Sequence, residues 1–263
     1  MAGVDGSTGA VFTSSGDTFY GRVLVGADGA NSAVGKSISS RRRFGCGLQL
    51  AFQTRVPREK IIDEYRSLTP KMFLGYVKEG YAWIFPRKDS FVIGISGKAG
   101  REKVLKKVYV DFLSLCTGTD PRLRFFIEAH LIPKGDFVKI PGKGNVLLVG
   151  DAAGLVNPLT GEGIYYAHMS AELASRAIIE YYESGKENDL LKLYTQYLTP
   201  VHNELRIAKR VSYLVYSPLR KLAFLAVKSP RTYLKVAEVI HGIKSYSQIP
   251  LISKGIKSIH QGN

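Results

Sequence analysis

The chain has 263 residues, enough for one large or two small domains, and 45% of them are hydrophobic, an ordinary globular composition. Two cysteines, Cys46 and Cys116, do not make a disulfide framework and suit a reducing, cytoplasmic setting; no run reads as a signal peptide or as a bilayer-spanning segment. The formal charge of +15 is the unusual quantity, yet nothing matches a nucleic-acid-binding module, so no nucleic-acid partner is expected.

In chain order, Gly3, Gly6 and Gly9 read as a flexible end, because no strand precedes them. Arg22 to Val25 is then a short apolar strand running into Gly26-Ala27-Asp28-Gly29. Asp28 and Gly29 predict a tight turn, and Ser32 is placed to cap a short helix. Taken alone, this corner fits an ordinary hairpin or strand–helix turn as well as it fits a ligand-binding corner. Asp28 reads as a turn-former and hydrogen-bond acceptor rather than a catalytic acid.

Gly47 to Val56, Lys71 to Val77, Tyr81 to Pro86 and Phe91 to Ser96 read as strands of an antiparallel meander, with turns at Lys78-Glu79-Gly80 and Lys88-Asp89-Ser90. Alternation along the third puts Tyr81, Trp83 and Phe85 on one face, where three aromatics line either an apolar pocket or a plain core. A helix follows over Lys103 to Leu115, with Val104, Val108, Phe112 and Leu115 expected on its buried face, until Asp120-Pro121 breaks it. Cys46, between two glycines, reads as a small buried hydrophobe.

Val146 to Val149 is an unbroken apolar run, hence a fully buried strand. It ends in Gly150-Asp151-Ala152-Ala153-Gly154, followed by the loop Asn157-Pro158-Leu159-Thr160-Gly161-Glu162-Gly163 and a helix from Ile164. That helix is expected to bury Ile164, Ala167, Ala171, Ala174, Ile178 and Tyr181, with His168 as a packing residue. The order sets a carboxylate beside a helix N-terminus at the end of a buried strand. Such a corner suits a ligand carrying hydroxyls and negative charge: Asp151 repels phosphate but accepts from a polyol, and the helix amides favour an anion.

After Pro200 the chain is basic, with Arg206, Lys209, Arg210, Arg220, Lys221, Lys228, Arg231, Lys235, Lys244, Lys254 and Lys257 opposed only by Glu204 and Glu238. Apolar residues interleave with these, and Pro218, Pro230 and Pro250 cut the tail into short helical pieces. Basic amphipathic helices point to an anionic membrane surface and a peripheral location; the alternative is a helical subdomain whose apolar faces pack on the body. The histidines show no metal-ligand spacing, no metal is expected, and no nucleophile–base pair or proton donor can be named, so the catalytic residues stay unassigned.

Gly150-Asp151-Ala152-Ala153-Gly154 with Pro158-Leu159-Thr160-Gly161-Glu162-Gly163-Ile164 resembles the second flavin-binding segment of FAD-dependent reductases and monooxygenases, and in detail the geranylgeranyl reductase family. Gly26-Ala27-Asp28-Gly29 resembles the Asp-Gly motif that accompanies it, and Tyr81-Ala82-Trp83-Ile84-Phe85-Pro86 the Tyr-x-Trp-x-Phe-Pro segment of those reductases. Departures are Ser32-Ala33-Val34-Gly35-Lys36 in place of Ser-x-Val-Arg, and Ser96 where the family's Gly-x-Gly has its second glycine.

The resemblance implies FAD as cofactor, reduced by NAD(P)H or ferredoxin. It puts Gly26, Asp28, Gly29, Gly150, Asp151, Pro158, Thr160, Gly161, Glu162, Gly163 and Ile164 around that cofactor, with Asp151 on the ribityl hydroxyls. Tyr81, Trp83, Phe85 and Pro86 would touch an isoprenoid lipid substrate. The implied activity is reduction of geranylgeranyl double bonds, on a diphosphate or a glycerophospholipid.

The implied fold is α/β (α+β). A partial FAD-binding Rossmann-like domain (1–43 and 133–199) carries an inserted antiparallel substrate sheet (44–132) and a basic helical C-terminal region (200–263). The strand and Gly-x-Gly-x-x-Gly turn that cradle the FAD pyrophosphate do not occur, so the chain reads as the C-terminal portion of a larger flavoprotein, with a separate N-terminal FAD-binding half as a possible partner. Two other readings stand: a flavin-dependent monooxygenase or halogenase, whose Trp-x-Trp-x-Ile-Pro segment Tyr81 and Phe85 break, and a non-catalytic membrane-associated fragment unable to hold FAD.

Overall fold

The computed structural model describes residues 3–5, 9–38, 47–120, 125–135, 137–185, 189–217, 229–240 and 243–248. Its elements in chain order are β1 (Gly3–Asp5), β2 (Ala10–Phe12), β3 (Thr18–Tyr20), β4 (Leu24–Gly26), α1 (Ala33–Ile38), β5 (Leu48–Pro57), β6 (Lys71–Leu74), β7 (Tyr81–Pro86), β8 (Ser90–Lys98), α2 (Glu102–Thr117), β9 (Glu128–Pro133), β10 (Gly142–Lys143) and β11 (Val146–Leu148). Then come α3 (Ile164–Glu183), α4 (Leu190–Tyr197), α5 (Thr199–Tyr216) and α6 (Pro230–Ile240). They form two compact units, one of Met1–Cys46 with Pro133–Asn263 and one of Gly47–Ile132. This is the mixed α/β architecture expected from the sequence. The described residues after Pro200 belong with the first unit.

In the first unit, β4 and β11 run parallel, with Val146 opposite Leu24 and Leu148 opposite Gly26, and β10 adds antiparallel to β11. The unbroken apolar run is the reason β11 sits inside: Val146, Leu147, Leu148 and Val149 are all buried. Tyr166, Ala174 and Ala177 of α3, Leu190 and Tyr194 of α4, and Val201 and Leu205 of α5 complete this core. The Tyr194 hydroxyl donates to the Leu148 carbonyl at 2.8 Å, so a buried polar tip is satisfied at the strand end.

Two expectations for this unit are overturned. Gly3 and Gly9 belong to a built element: β1, β2 and β3 form an antiparallel sheet in which Val4 pairs with Val11 and Val11 with Phe19. Gly9 turns the chain at φ 68°, its N–H donating to the Asp5 carbonyl at 2.9 Å, while Gly6 lies outside the described residues. The buried face of α3 is Tyr166, Ser170, Ala174 and Ala177, whereas Ile164, Ala171 and His168 are exposed. The small residues of α3 permitted more than one face, and the larger Tyr166 settled which one turns inward.

In the second unit the sheet order is β6-β7-β8-β5-β9. The meander β6-β7-β8 is as expected, but β5 pairs with β8 rather than β6, and β9 extends the sheet beyond the four strands read from the sequence. Phe52, Val56, Ala82, Ile84, Phe91, Ile93 and Ile95 form a core with Leu105, Tyr109, Phe112, Leu113 and Cys116 of α2. The inward face of α2 is thus rotated from expectation: Val104 and Leu115 are exposed. Burial pushes the Cys116 thiol up to about 12, so it is an inert packing group. Cys46 and Pro121 lie outside the described residues.

Candidate functional site

The register of β4 against β11 brings the two Gly-Asp corners to the carboxyl ends of neighbouring parallel strands, where open α/β sheets bind ligands. Gly26 is required there: a Cβ would come 2.8 Å from Leu148 Cδ2 and 2.9 Å from Val34. The Val149 N–H then donates to the Gly26 carbonyl at 3.0 Å, locking the corners side by side.

The two aspartates do different work. Asp28 accepts the Ser32 hydroxyl at 2.5 Å and the amides of Ala33 at 2.7 Å and Val34 at 3.0 Å. Burial alone would raise its pKa, but the Ser32 hydroxyl and the amides of Val34, Asp28 and Ala33 hold it below the usual carboxylate range. Ser32 in turn accepts the Gly35 amide at 2.7 Å, so the start of α1 is closed by both side chains rather than by Ser32 alone. Gly29, at φ 76°, makes the turn between them.

Asp151 lies in a short 3₁₀ turn, Gly150–Ala153, and its carboxylate meets no hydrogen-bond donor among the described residues. Burial raises its pKa. Its Oδ1 stands where a Cβ on Gly163 would approach to 3.0 Å, so Gly163 lets the carboxylate lie against the first turn of α3. Gly163 caps α3 without any side-chain hydrogen bond, which leaves the leading amides of a 20-residue helix to their surroundings. Gly150, at φ 54°, donates its N–H to Ser170 Oγ at 2.9 Å and faces Ala167, so the backbone of the 3₁₀ turn lies directly on the small side chains of α3.

The loop between them is organised by Asn157, which sequence reasoning missed. Its Oδ1 accepts the amides of Leu159 at 2.9 Å and Thr160 at 3.2 Å, its backbone N–H reaches the Glu162 carbonyl at 2.8 Å, and its carbonyl takes the Gly161 N–H at 2.9 Å. Gly161 has φ 78°. Pro158 is buried, Thr160 and Gly161 are half-buried, and Glu162 and Ile164 are exposed. Beneath the loop, Lys134 is 6% exposed and bridges in parallel to Val156; burial lowers its ammonium to about 7. The signal for Lys134 in the sequence, a lysine after Ile132-Pro133, was indistinguishable from any surface lysine.

In the second unit, Tyr81, Trp83 and Phe85 lie on the sheet face opposite the one α2 covers, as alternation requires, since Ala82 and Ile84 pack against α2. Trp83 stacks on Phe85 at 6.1 Å and contacts Tyr81 at 5.7 Å between ring centroids. Gly94 is opposite Trp83, and a Cβ there would overlap the indole, which explains a glycine in mid-strand. Tyr81 and Trp83 are buried, Phe85 and Pro86 half-buried. Ser96 replaces a glycine opposite Tyr81 and is itself buried without disturbing the strand. Among the described residues no cluster of side chains suits a metal ion.

Parallel strands with paired acidic corners, an uncapped helix start and an antiparallel second sheet define the class of flavin-binding α/β oxidoreductases. The chain belongs to the FAD binding domain family, whose model matches residues 3–206. It is 33% identical over 224 residues to the chloroplastic geranylgeranyl diphosphate reductase of Arabidopsis thaliana, across 80% of this chain and 45% of that protein. It thus spans about half the length of the curated relatives it matches. Among solved structures it resembles a geranylgeranyl bacteriochlorophyll reductase-like protein of Thermoplasma acidophilum, with TM-score 0.66 and 17% identity over 92% of this chain and 62% of that one. A flavin-dependent brominase shares the fold at TM-score 0.64 and 14% identity, over 94% of this chain and 65% of that one. FAD is accordingly the cofactor of this family, and the donor set at Asp151 and α3 fits it: an acceptor for ribityl hydroxyls beside amides for an anionic ring edge.

Proposed function

We propose that this protein is the catalytic part of a FAD-dependent reductase acting on geranylgeranyl-type isoprenoid double bonds. The observation that carries the proposal is the uncommitted Asp151 carboxylate beside the uncapped start of α3, in a chain whose reductase relative is 33% identical. Bound and reduced, FAD supplies the hydride for the alkene. The protein's part is to bind and orient. Asp151 accepts ribityl hydroxyls, and the Thr160–Ile164 backbone lies along the pyrimidine edge with the N–H groups of Gly163 and Ile164 offered to it, those of Thr160, Gly161 and Glu162 being taken within the loop; Gly26, Gly29, Gly150 and Pro158 shape the backbone that lets the cofactor approach. Asp28 contributes by fixing α1 and its corner. Tyr81, Trp83, Phe85 and Pro86 give an isoprenoid chain an aromatic surface. In flavoproteins of this kind a strand and a Gly-x-Gly-x-x-Gly turn cradle the FAD pyrophosphate.

The substrate class also gives the basic C-terminal region a role at an anionic membrane surface. Tyr213, Leu214, Leu234 and Ile243 are exposed among the basic residues, and the two opposing carboxylates are engaged, Glu238 with Lys244 at 2.8 Å and Glu204 with the Tyr246 amide. One face of α5 packs on the body through Val201, Leu205 and Ala208, so only the other face is offered to lipid. Among the described residues no helix is long and apolar enough to cross a membrane. Pro218, Pro250 and Arg220, Lys221, Lys228, Lys254 and Lys257 lie outside them.

Anaerobic turnover of geranylgeranyl diphosphate by the protein joined to a Gly-x-Gly-x-x-Gly pyrophosphate-binding segment tests the reading. Saturated isoprenoid product, lost in Trp83→Ala with flavin content kept, is the expected result. Oxygen-dependent halide or hydroxyl incorporation without alkene reduction overturns it in favour of the brominase-like fold's chemistry. Co-sedimentation with anionic but not neutral vesicles tests the membrane role.

A further inference from the structure

We infer that the C-terminal region braces the flavin loop from behind, with Tyr216 and Tyr246 as positioning residues for the amides that face the cofactor. Both tyrosines lie C-terminal to the FAD-binding-domain match, so the family resemblance assigns them nothing. The inference rests on the flavin reading above for its purpose, but the brace itself is visible without a ligand.

Two bonds tie the tyrosines to the loop, and two more hold the tyrosines themselves. At the last residue of α5, the Tyr216 hydroxyl donates to the Leu159 carbonyl at 2.6 Å. Lys134 holds that tyrosine in place: its Nζ lies 3.2 Å from the hydroxyl and 4.5 Å from the ring centroid. At the other side of the loop, Asn157 Nδ2 donates to the Tyr246 hydroxyl at 3.2 Å, and Tyr246 is buried, its own amide taken by the Glu204 carboxylate.

Asn157 and Leu159 are the two residues on which the loop's internal bonds converge. Asn157 Oδ1 orients the Leu159 and Thr160 amides, and the Asn157 backbone closes on Glu162 and Gly161. Fixing those two points from outside therefore fixes the path of Thr160 to Gly163, the stretch that leads into α3. Preorganised amides cost nothing to orient when charge arrives, so a loosened loop binds an anionic ring edge less well.

The test is amide hydrogen exchange on the full chain without cofactor, followed by FAD titration with a Gly-x-Gly-x-x-Gly pyrophosphate-binding segment supplied, for Tyr216→Phe, Tyr246→Phe and the double variant. Phenylalanine keeps the ring packing and removes the hydroxyl, which breaks the bonds to the Leu159 carbonyl and from Lys134 at Tyr216 and the bond from Asn157 at Tyr246. Exchange over residues 157–163 is expected to rise by about three- to tenfold per bond removed, with exchange in the middle of α3 and over β7 and β8 unchanged. FAD dissociation constants should rise by a similar factor, and the flavin midpoint potential should fall, since the loosened amides stabilise reduced flavin less. Unchanged loop exchange in the double variant overturns the brace, as does a rise shared equally by α3, which would report general destabilisation. If the exchange result holds but no variant binds FAD, including the parent, the flavin reading fails and the brace stands.

Discussion

Leu148 stands in parallel register opposite Gly26, close enough that a single added methyl would come within 2.8 Å of the leucine's Cδ2. That contact sets the spacing of β4 and β11, and with it the separation of the Asp28 and Asp151 corners. Gly26→Ala should cost about 1–3 kcal/mol, because Leu148 and Val34 are both buried and the strand has nowhere to move. Denaturant unfolding checks this; Leu148→Ala in the same chain should recover part of the loss, and an unperturbed midpoint for Gly26→Ala contradicts the tight register.

The two aspartates should respond oppositely to removal. Asp28→Ala takes the cap from α1 and is expected to cost about 1–2 kcal/mol at neutral pH. Its folded pKa lies below the unfolded value, so this contribution is present above about pH 4 and is lost as pH falls through the folded value. A parent and an Asp28→Ala variant whose stability gap stays constant from pH 7 to pH 2 would show that the carboxylate is not the cap.

For Asp151 the sign reverses. Burial raises its pKa without a compensating donor among the described residues, so the ionised form weighs against the fold and the penalty disappears as pH falls through the raised value to the unfolded one. Asp151→Asn should leave the protein without cofactor as stable or slightly more stable at pH 7. Thermal melts at pH 7 and pH 4 test this, and clear destabilisation at pH 7 would point to a structural bond that the geometry does not contain.

Lys134 offers a second pH window. Its folded pKa is lowered to about 7 from 10.5, so the unfolded chain binds the extra proton between those values and stability rises with pH across that interval. Below pH 7 both states are protonated and the penalty is at its full extent, on the order of a few kcal/mol. Lys134→Met should flatten the rise between pH 7 and 10. A parent whose stability is flat over that range contradicts the burial argument.

Much of the site was legible because its signals are local. Glycines, one proline and an apolar run within twenty residues specify a strand, a turn and a helix start, and the alternation of Tyr81, Trp83 and Phe85 specifies a shared face whatever the partner strand. What escaped was non-local. Asn157 looks like a loop residue until Tyr246 is found 89 positions away, and Leu159 needs Tyr216 at 57. The faces of α2 and α3 were misjudged for a related reason. Val104, Leu115 and Ile164 are apolar yet exposed, and only the opposing sheet and core decide which apolar stripe turns inward. The strand Gly3–Asp5 is too short for periodicity to register and exists through its pairing with β2.

The most direct measurement is a flavin-fluorescence titration of FAD into the protein, with a Gly-x-Gly-x-x-Gly pyrophosphate-binding segment supplied, comparing the parent with Asp151→Ala. Saturable binding by the parent, weakened about tenfold or more in the variant while folding is kept, is the predicted result. Superimposable curves, or a parent that never takes up the flavin, would contradict it.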